Sequence, residues 1–165
     1  MSRIQKLQEA LEELADHEDD EFTNVCNSGL LLYPELHDQL FEHQKEGITV
    51  LYSLYRDGRK GGILADDMGL GKTVQIITFL HGVFDASLIN HVLLIMSTSL
   101  ISTWLKDFDK WTPGMRVKTF HGPSKDERSR NFSWIHQRNG VIITTYQMLI
   151  NNWQQLSTSN GQEFL

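Results

Sequence analysis

The sequence predicts an α/β fold: a mostly parallel sheet flanked by helices and preceded by N-terminal helices. Three observations predict it. A glycine-rich loop, "DDMGLGKT", stands between a short apolar run and an amphipathic helix. Unbroken apolar runs such as "VLLIM" and "VIITT" have the length of strands buried on both faces. Segments of helical period separate them, and that alternation implies crossovers between parallel strands.

Each element follows in chain order. Ile4, Leu7, Leu11 and Leu14 recur at three and four residues and predict a helix over 1–15. It either packs on its own chain or is the cut end of a longer helical region. An acidic linker is expected over 16–33, opening on "DHEDDE". "PELHDQLFEHQKEGITVLYSLYRDG" reads as one helix, with Pro34 in its first turn and Gly58 at its end. Leu36, Leu40, Phe41, Ile48, Leu51, Leu54 and Tyr55 share its apolar face. Ile63–Ala65 reads as a short buried strand. The helix after the glycines turns Ile76, Ile77, Leu80, Val83 and Phe84 inward. Val92–Met96 is the second strand, and the helix after it places Leu100, Trp104, Phe108 and Trp111 on one side. Arg116–Phe120 is the third strand. Ser124 and Glu127 form a capping box for another helix. Val141–Thr145 is the fourth strand, and "YQMLINNW" starts a helix. Trp104, Trp111, Trp134 and Trp153 read as core or helix-packing residues.

A chain of 165 residues suffices for one domain with a sizeable core. No apolar run reaches the roughly 18 residues of a membrane span, and the start lacks the apolar core of a secretory signal. A single cysteine, Cys26, fits a reducing compartment, so a cytosolic or nuclear setting and no membrane partner are expected. The formal net charge is −6. Five of the acidic groups lie in "DHEDDE", and without them the balance is about −1. A local basic face therefore remains open, and net charge neither supports nor excludes nucleic acid. The seven histidines show no metal-ligand spacing. The basic turn Arg56–Lys60 is either solvated or a nucleic-acid contact.

The glycine-rich loop carries the chemistry. Backbone N–H groups at a helix N-terminus grip phosphate, and Gly69 and Gly71 let the chain curl closely around it. Lys72 supplies a positive charge to β and γ phosphates, and Thr73 offers a hydroxyl to Mg²⁺. The general pattern G-x-x-x-x-G-K-[ST] wants glycine where Asp66 stands, so the loop is a variant.

"ILADDMGLGKT" resembles motif I of the Swi/Snf-type branch of the helicase superfamily, ATP-driven double-stranded DNA translocases that include chromatin remodelers. "LFEHQKEGI" resembles the upstream glutamine motif, "VLLIMSTSLISTWLKDFDKW" motif Ia with its helix, "FHG" the segment between motifs, and "GVIITTYQML" the next DNA-facing motif. Together these cover about residues 36–150. "RIQKLQEALEELA", "NSGLLLYPELHDQLFEHQKEGI" and "WTPGMRVKTFHGPSKDER" are most similar to excision-repair-related members of that branch, associated with centromeres and ultrafine anaphase DNA bridges.

The resemblance implies an incomplete RecA-like P-loop lobe over 34–165. Gln44 would read adenine, and Asp66, Asp67, Met68, Gly69, Leu70, Gly71, Lys72 and Thr73 would bind ATP. Lys72 and Thr73 would be catalytic, with Thr73 on Mg²⁺. Ser97, Thr98, Ser99, Thr144, Thr145 and Tyr146 would meet double-stranded DNA, although each threonine can equally be a helix cap. Ser97 replaces a usual proline and can cap the helix that follows. The resemblance also implies that residues 1–15 are the tail of a helical tetratricopeptide region, a surface for a protein partner. The implied location is nuclear and chromosomal, at centromere and kinetochore, and cytoplasmic in interphase.

No DExH-like carboxylate pair follows an apolar strand in the sequence; the family places it shortly after "GQEFL". The expectation is a truncated first ATPase lobe, poorly stable and aggregation-prone, that binds nucleotide without turnover. A complete P-loop NTPase of another kind, and a non-enzymatic interaction module, are the alternative readings.

Overall fold

The computed structural model describes residues 22–157. The helix expected over 1–15 and the run Asp16–Glu21 lie outside the described residues. Instead of one domain, the chain forms two compact units divided between Gln75 and Ile76.

In the first unit, residues 22–33 fold rather than link. Two short antiparallel strands, β1 (Thr23–Asn24) and β2 (Leu31–Leu32), pair Thr23 with Leu32 and Asn24 with Leu31. Val25, Leu30 and Leu32 are buried, and Asn24 Oδ1 accepts the Gly29 N–H at 3.0 Å. These apolar residues, absent from the acidic run before them, let the segment pack against the helix over Glu42–Arg56.

The helix expected from Pro34 to Gly58 is two helices, α1 (Pro34–His37) and α2 (Glu42–Arg56). The Gln39 side-chain amide donates to the Glu35 carbonyl at 2.7 Å, the acceptor that its own N–H would take in a continuing helix. The chain then restarts at Phe41, whose N–H donates to Gln44 Oε1 at 3.0 Å, one half of a capping box. Phe41 consequently sits outside the apolar stripe, 68% exposed. The far end closes as expected at Gly58, with Arg59 N–H bonded to Leu54 O at 2.9 Å.

The strand expected at Ile63–Ala65 does not form. Residues 61–67 have no regular structure and pair with neither sheet, and Ile63 is 93% exposed. An apolar run becomes a strand only where a ladder partner takes its backbone groups. Helix α3 (Lys72–Asp85) begins directly after the glycine-rich loop.

Among the described residues, the second unit is built on three parallel strands: β3 (His91–Met96), β4 (Val117–Phe120) and β5 (Gly140–Thr145), in the order β3-β5-β4. Of these three, the last in sequence is the central one. His91 pairs with Gly140 and Met96 with Thr145; Val117 pairs with Val141 and Phe120 with Thr144. All six residues of β5 are buried, whereas Leu93, Leu94 and Ile95 of the edge strand β3 are only half-buried. Gly140 is required where β5 starts. Its φ is +147°, and a Cβ there would lie 2.4 Å from the Arg116 carbonyl oxygen.

Helices α4 (Thr98–Trp111), α5 (Lys125–Arg138), α6 (Tyr146–Asn151) and α7 (Trp153–Ser157) complete this unit. Ser124 Oγ caps α5 by accepting the Glu127 N–H at 3.2 Å, as the sequence predicts. In α4 the buried residues are Ile101 and Phe108; Leu100, expected inward, is 46% exposed. Phe120, Phe132, Ile135, Ile142 and Leu156 form a core cluster, with Leu93, Trp134, Met148 and Leu149 against it. Trp104, Trp111 and Trp134 are half-buried, but Trp153 is 61% exposed.

Candidate functional site

The glycine-rich loop lies in the first unit and runs into the first turn of α3. Gly69 and Gly71 both have positive φ, +88° and +80°. At Gly71 a Cβ would stand 2.3 Å from Gln44 Nε2 and 3.1 Å from Val74 Cγ1, so any other residue strains the backbone and displaces the Gln44 amide. The first helical N–H groups have no carbonyl partner one turn earlier, and point out of the helix start where an anion is favoured. Lys72 is the first residue of α3 and Thr73 the second. Lys72 Nζ donates to the carbonyls of Asp66 at 2.5 Å and Asp67 at 2.9 Å. An ammonium has three donors, so one remains for a phosphate oxygen. The residues present therefore fit a nucleotide's phosphates: a loop with glycines in left-handed backbone, helix N–H groups and a cation at its mouth.

Side chains from α2 and α3 tie down both ends of the loop. At the entry, Gln75 Nε2 donates to Asp66 Oδ2 at 2.8 Å. At the exit, Gln44 Nε2 and His43 Nε2 donate to the Leu70 carbonyl at 3.3 and 3.1 Å. Between these ties Asp67, Met68 and Gly69 are exposed, Met68 at 96%. Gln44, buried, thus caps α2 and holds the loop at once. Sequence reasoning missed the parts of Gln75 and His43. A signal existed for Gln75: Gly47, a mid-helix glycine in "KEGIT", marks a close approach, and Gln75 is what approaches it.

The residues expected at DNA lie in the second unit, and the sheet register brings them to one edge. Parallel neighbours β3 and β5 end together at Met96 and Thr145, so Ser97, Thr98 and Ser99 stand beside Tyr146 at the carboxyl ends of the strands. That is where open α/β sheets bind ligands. Ser97, Thr98, Ser99 and Tyr146 are exposed, Tyr146 at 64%. Ser97 holds the N-cap position of α4 without capping it; its Oγ lies 3.1 Å from Ser99 Oγ.

Thr144 departs from expectation. It is fully buried, and its Oγ1 donates to the Phe120 carbonyl at 2.9 Å. A strand covered on both faces has no outward position, so this side chain stitches β5 to β4 rather than meeting a ligand. Thr145, 6% exposed, caps α6 by accepting the Met148 N–H at 3.3 Å.

A local basic flank also exists despite the acidic net charge. Lys118 and Arg138 each stand 5.2 Å from the Trp134 ring centroid, and Arg116 donates to the Arg138 carbonyl at 2.7 Å. Arg138 and Arg130, with Trp134 between them in sequence, line a shallow groove of about 460 Å³. None of the four pairs with a carboxylate among the described residues.

Comparison with known proteins places the fold in a family. The pattern of the SNF2-related domain matches residues 43–165. DNA excision repair protein ERCC-6-like from Bos taurus is 84% identical and that from Homo sapiens 82%, over the whole of this chain. The chain spans 13% of the length of each. Among solved structures, the SWI2/SNF2 ATPase core of Sulfolobus solfataricus in complex with double-stranded DNA aligns with a TM-score of 0.58 at 29% identity. The alignment covers 70% of this chain and 23% of that one. On these matches the chain belongs to the SNF2-related domain family.

Proposed function

We propose that this chain supplies the ATP-binding part of an ATP-dependent double-stranded DNA translocase of the remodeler type. The observation that carries the reading is the loop from Gly69 to Thr73, curled at the start of α3 with Lys72 at its mouth. Gly69, Gly71 and the first N–H groups of α3 cradle phosphates, Lys72 neutralises their charge, and Thr73 presents its hydroxyl for Mg²⁺. Bound ATP with its metal supplies the free energy of phosphoryl transfer. Asp66, Asp67, Met68 and Leu70 shape the loop, and the family resemblance assigns adenine reading to Gln44. Ser97, Thr98, Ser99 and Tyr146 meet the DNA backbone, reading shape rather than sequence.

Hydrolysis needs a carboxylate beside Thr73 and a base for the attacking water, and the 165 residues contain no DExH-like pair to provide them. These residues therefore bind ATP without turnover. Similarity to excision-repair-related translocases supports a role in mitotic chromosome segregation, with the protein nuclear and at centromeres and kinetochores, and cytoplasmic in interphase. The N-terminal segment over residues 1–15 serves a protein partner.

Titration calorimetry with MgATP tests the reading. The chain binds, and Lys72→Ala weakens binding at least tenfold while the melting temperature stays within a few degrees. Equal affinity of the two proteins for MgATP overturns it. Fluorescence anisotropy with a labelled duplex tests the DNA surface, where Tyr146→Ala weakens binding.

A further inference from the structure

We infer that Gln75 is a positioning residue that sets the phosphate loop by acting on Lys72 through Asp66. Gln75 is fully buried in α3. Its Nε2 donates to the Asp66 carboxylate at 2.8 Å, and the Asp66 carbonyl accepts Lys72 Nζ at 2.5 Å. One residue of the loop thus joins the buried amide to the loop's cation. The amide head is fixed in turn by α2: a Cβ on Gly47 would lie 1.9 Å from Gln75 Oε1 and 3.0 Å from its Cδ. The absence of a side chain at Gly47 makes the space that the amide fills.

The other end of the amide shows why the residue is polar. Gln75 Oε1 is buried and accepts no hydrogen bond among the described residues. Such an acceptor is costly, and a methionine would fill the same volume without that cost. The position is therefore not optimised for packing. The amide's one hydrogen bond goes to the loop, and that bond is what an apolar side chain cannot supply. Gln44 and His43 hold the loop's exit at Leu70, so Gln75 is what fixes its entry. A loop already held in its binding conformation loses less entropy on taking a ligand.

The inference rests on the reading of the loop as a nucleotide site, and the test separates the two. In the 165-residue chain, Gln75→Met binds MgATP about tenfold more weakly by calorimetry, yet melts at or above the wild-type temperature. A packing role would lower stability and affinity together. Asp66→Ala also weakens binding, and adding Gln75→Met to it changes affinity little, because both act along one path. Wild-type affinity in Gln75→Met, or an effect that adds in full to that of Asp66→Ala, overturns the inference. Amide hydrogen exchange over residues 66–71 reads the same positioning without nucleotide: it rises in Gln75→Met. Unchanged exchange there overturns the positioning role even if the chain fails to bind MgATP, a failure that would count against the nucleotide reading.

Discussion

Replacing Gly71 by alanine tests whether the loop and Gln44 form one mechanical unit. The substitution does two things. It forces a Cβ into left-handed backbone at φ +80°, which costs about 1–2 kcal/mol. It also places that Cβ 2.3 Å from Gln44 Nε2, so the amide must leave. Departure breaks the bond to Leu70 O and the cap on Phe41 N–H, each worth about 1 kcal/mol. The sum is about 3–4 kcal/mol for Gly71→Ala. Gly69→Ala is the internal control, because its φ is +88° but nothing lies within 4 Å of its Cβ; it costs only the backbone part, about 1–2 kcal/mol. Urea unfolding followed by far-ultraviolet circular dichroism measures both. In the background of Gln44→Ala the extra cost of Gly71→Ala disappears and the two glycine variants become equal. Equal destabilisation in the wild-type background, or an unchanged gap with Gln44 truncated, would refute the coupling.

Three further outcomes follow from the second unit. Gly140→Ala drives a Cβ to 2.4 Å from the Arg116 carbonyl oxygen and 2.9 Å from Ile135 Cδ1, and destabilises this unit by about 3 kcal/mol or more in urea unfolding. Burial holds the His81 and His91 imidazoles below their ordinary value of 6.5, Asp85 opposing it at His81 and the His136 carbonyl at His91. The native state then takes up protons later than the unfolded chain, so stability is full above about pH 6.5 and falls as pH drops below it; melting scans show this, and His91→Gln flattens the profile. Thr144→Val lowers stability by about 1–2 kcal/mol by leaving the Phe120 carbonyl without that donor, but leaves duplex affinity in anisotropy unchanged, whereas Tyr146→Ala does the reverse.

Much of the second unit was legible in the sequence because its signals are local. "VLLIM" and "VIITT" are strands within one residue of their expected limits, and Ser124 caps its helix. The glycine-rich loop was legible for the same reason, since its residues are contiguous. What was not legible depends on partners distant in sequence. Ile63–Ala65 has the composition of a strand but no ladder. Thr144 looks outward in the alternation of an isolated strand, yet β5 is central and covered on both faces. The break at Asp38–Phe41 follows from two glutamine side chains, Gln39 and Gln44, competing for backbone groups. Gln75 and His43 bear on the loop only once α2 and the start of α3 are packed.

The strand order has a consequence for synthesis on the ribosome. β3 and β4 never pair with each other; each waits for β5. The roughly 55 residues from His91 to Thr145 take on the order of 3–11 s to translate. Throughout that interval both edges of "HVLLIM" are without a ladder, and no sheet can form. When β5 emerges it closes both ladders in one step, so this unit folds late and all at once. A nascent chain stalled before Gly140 exposes an apolar strand to whatever chaperone or neighbouring chain reaches it first.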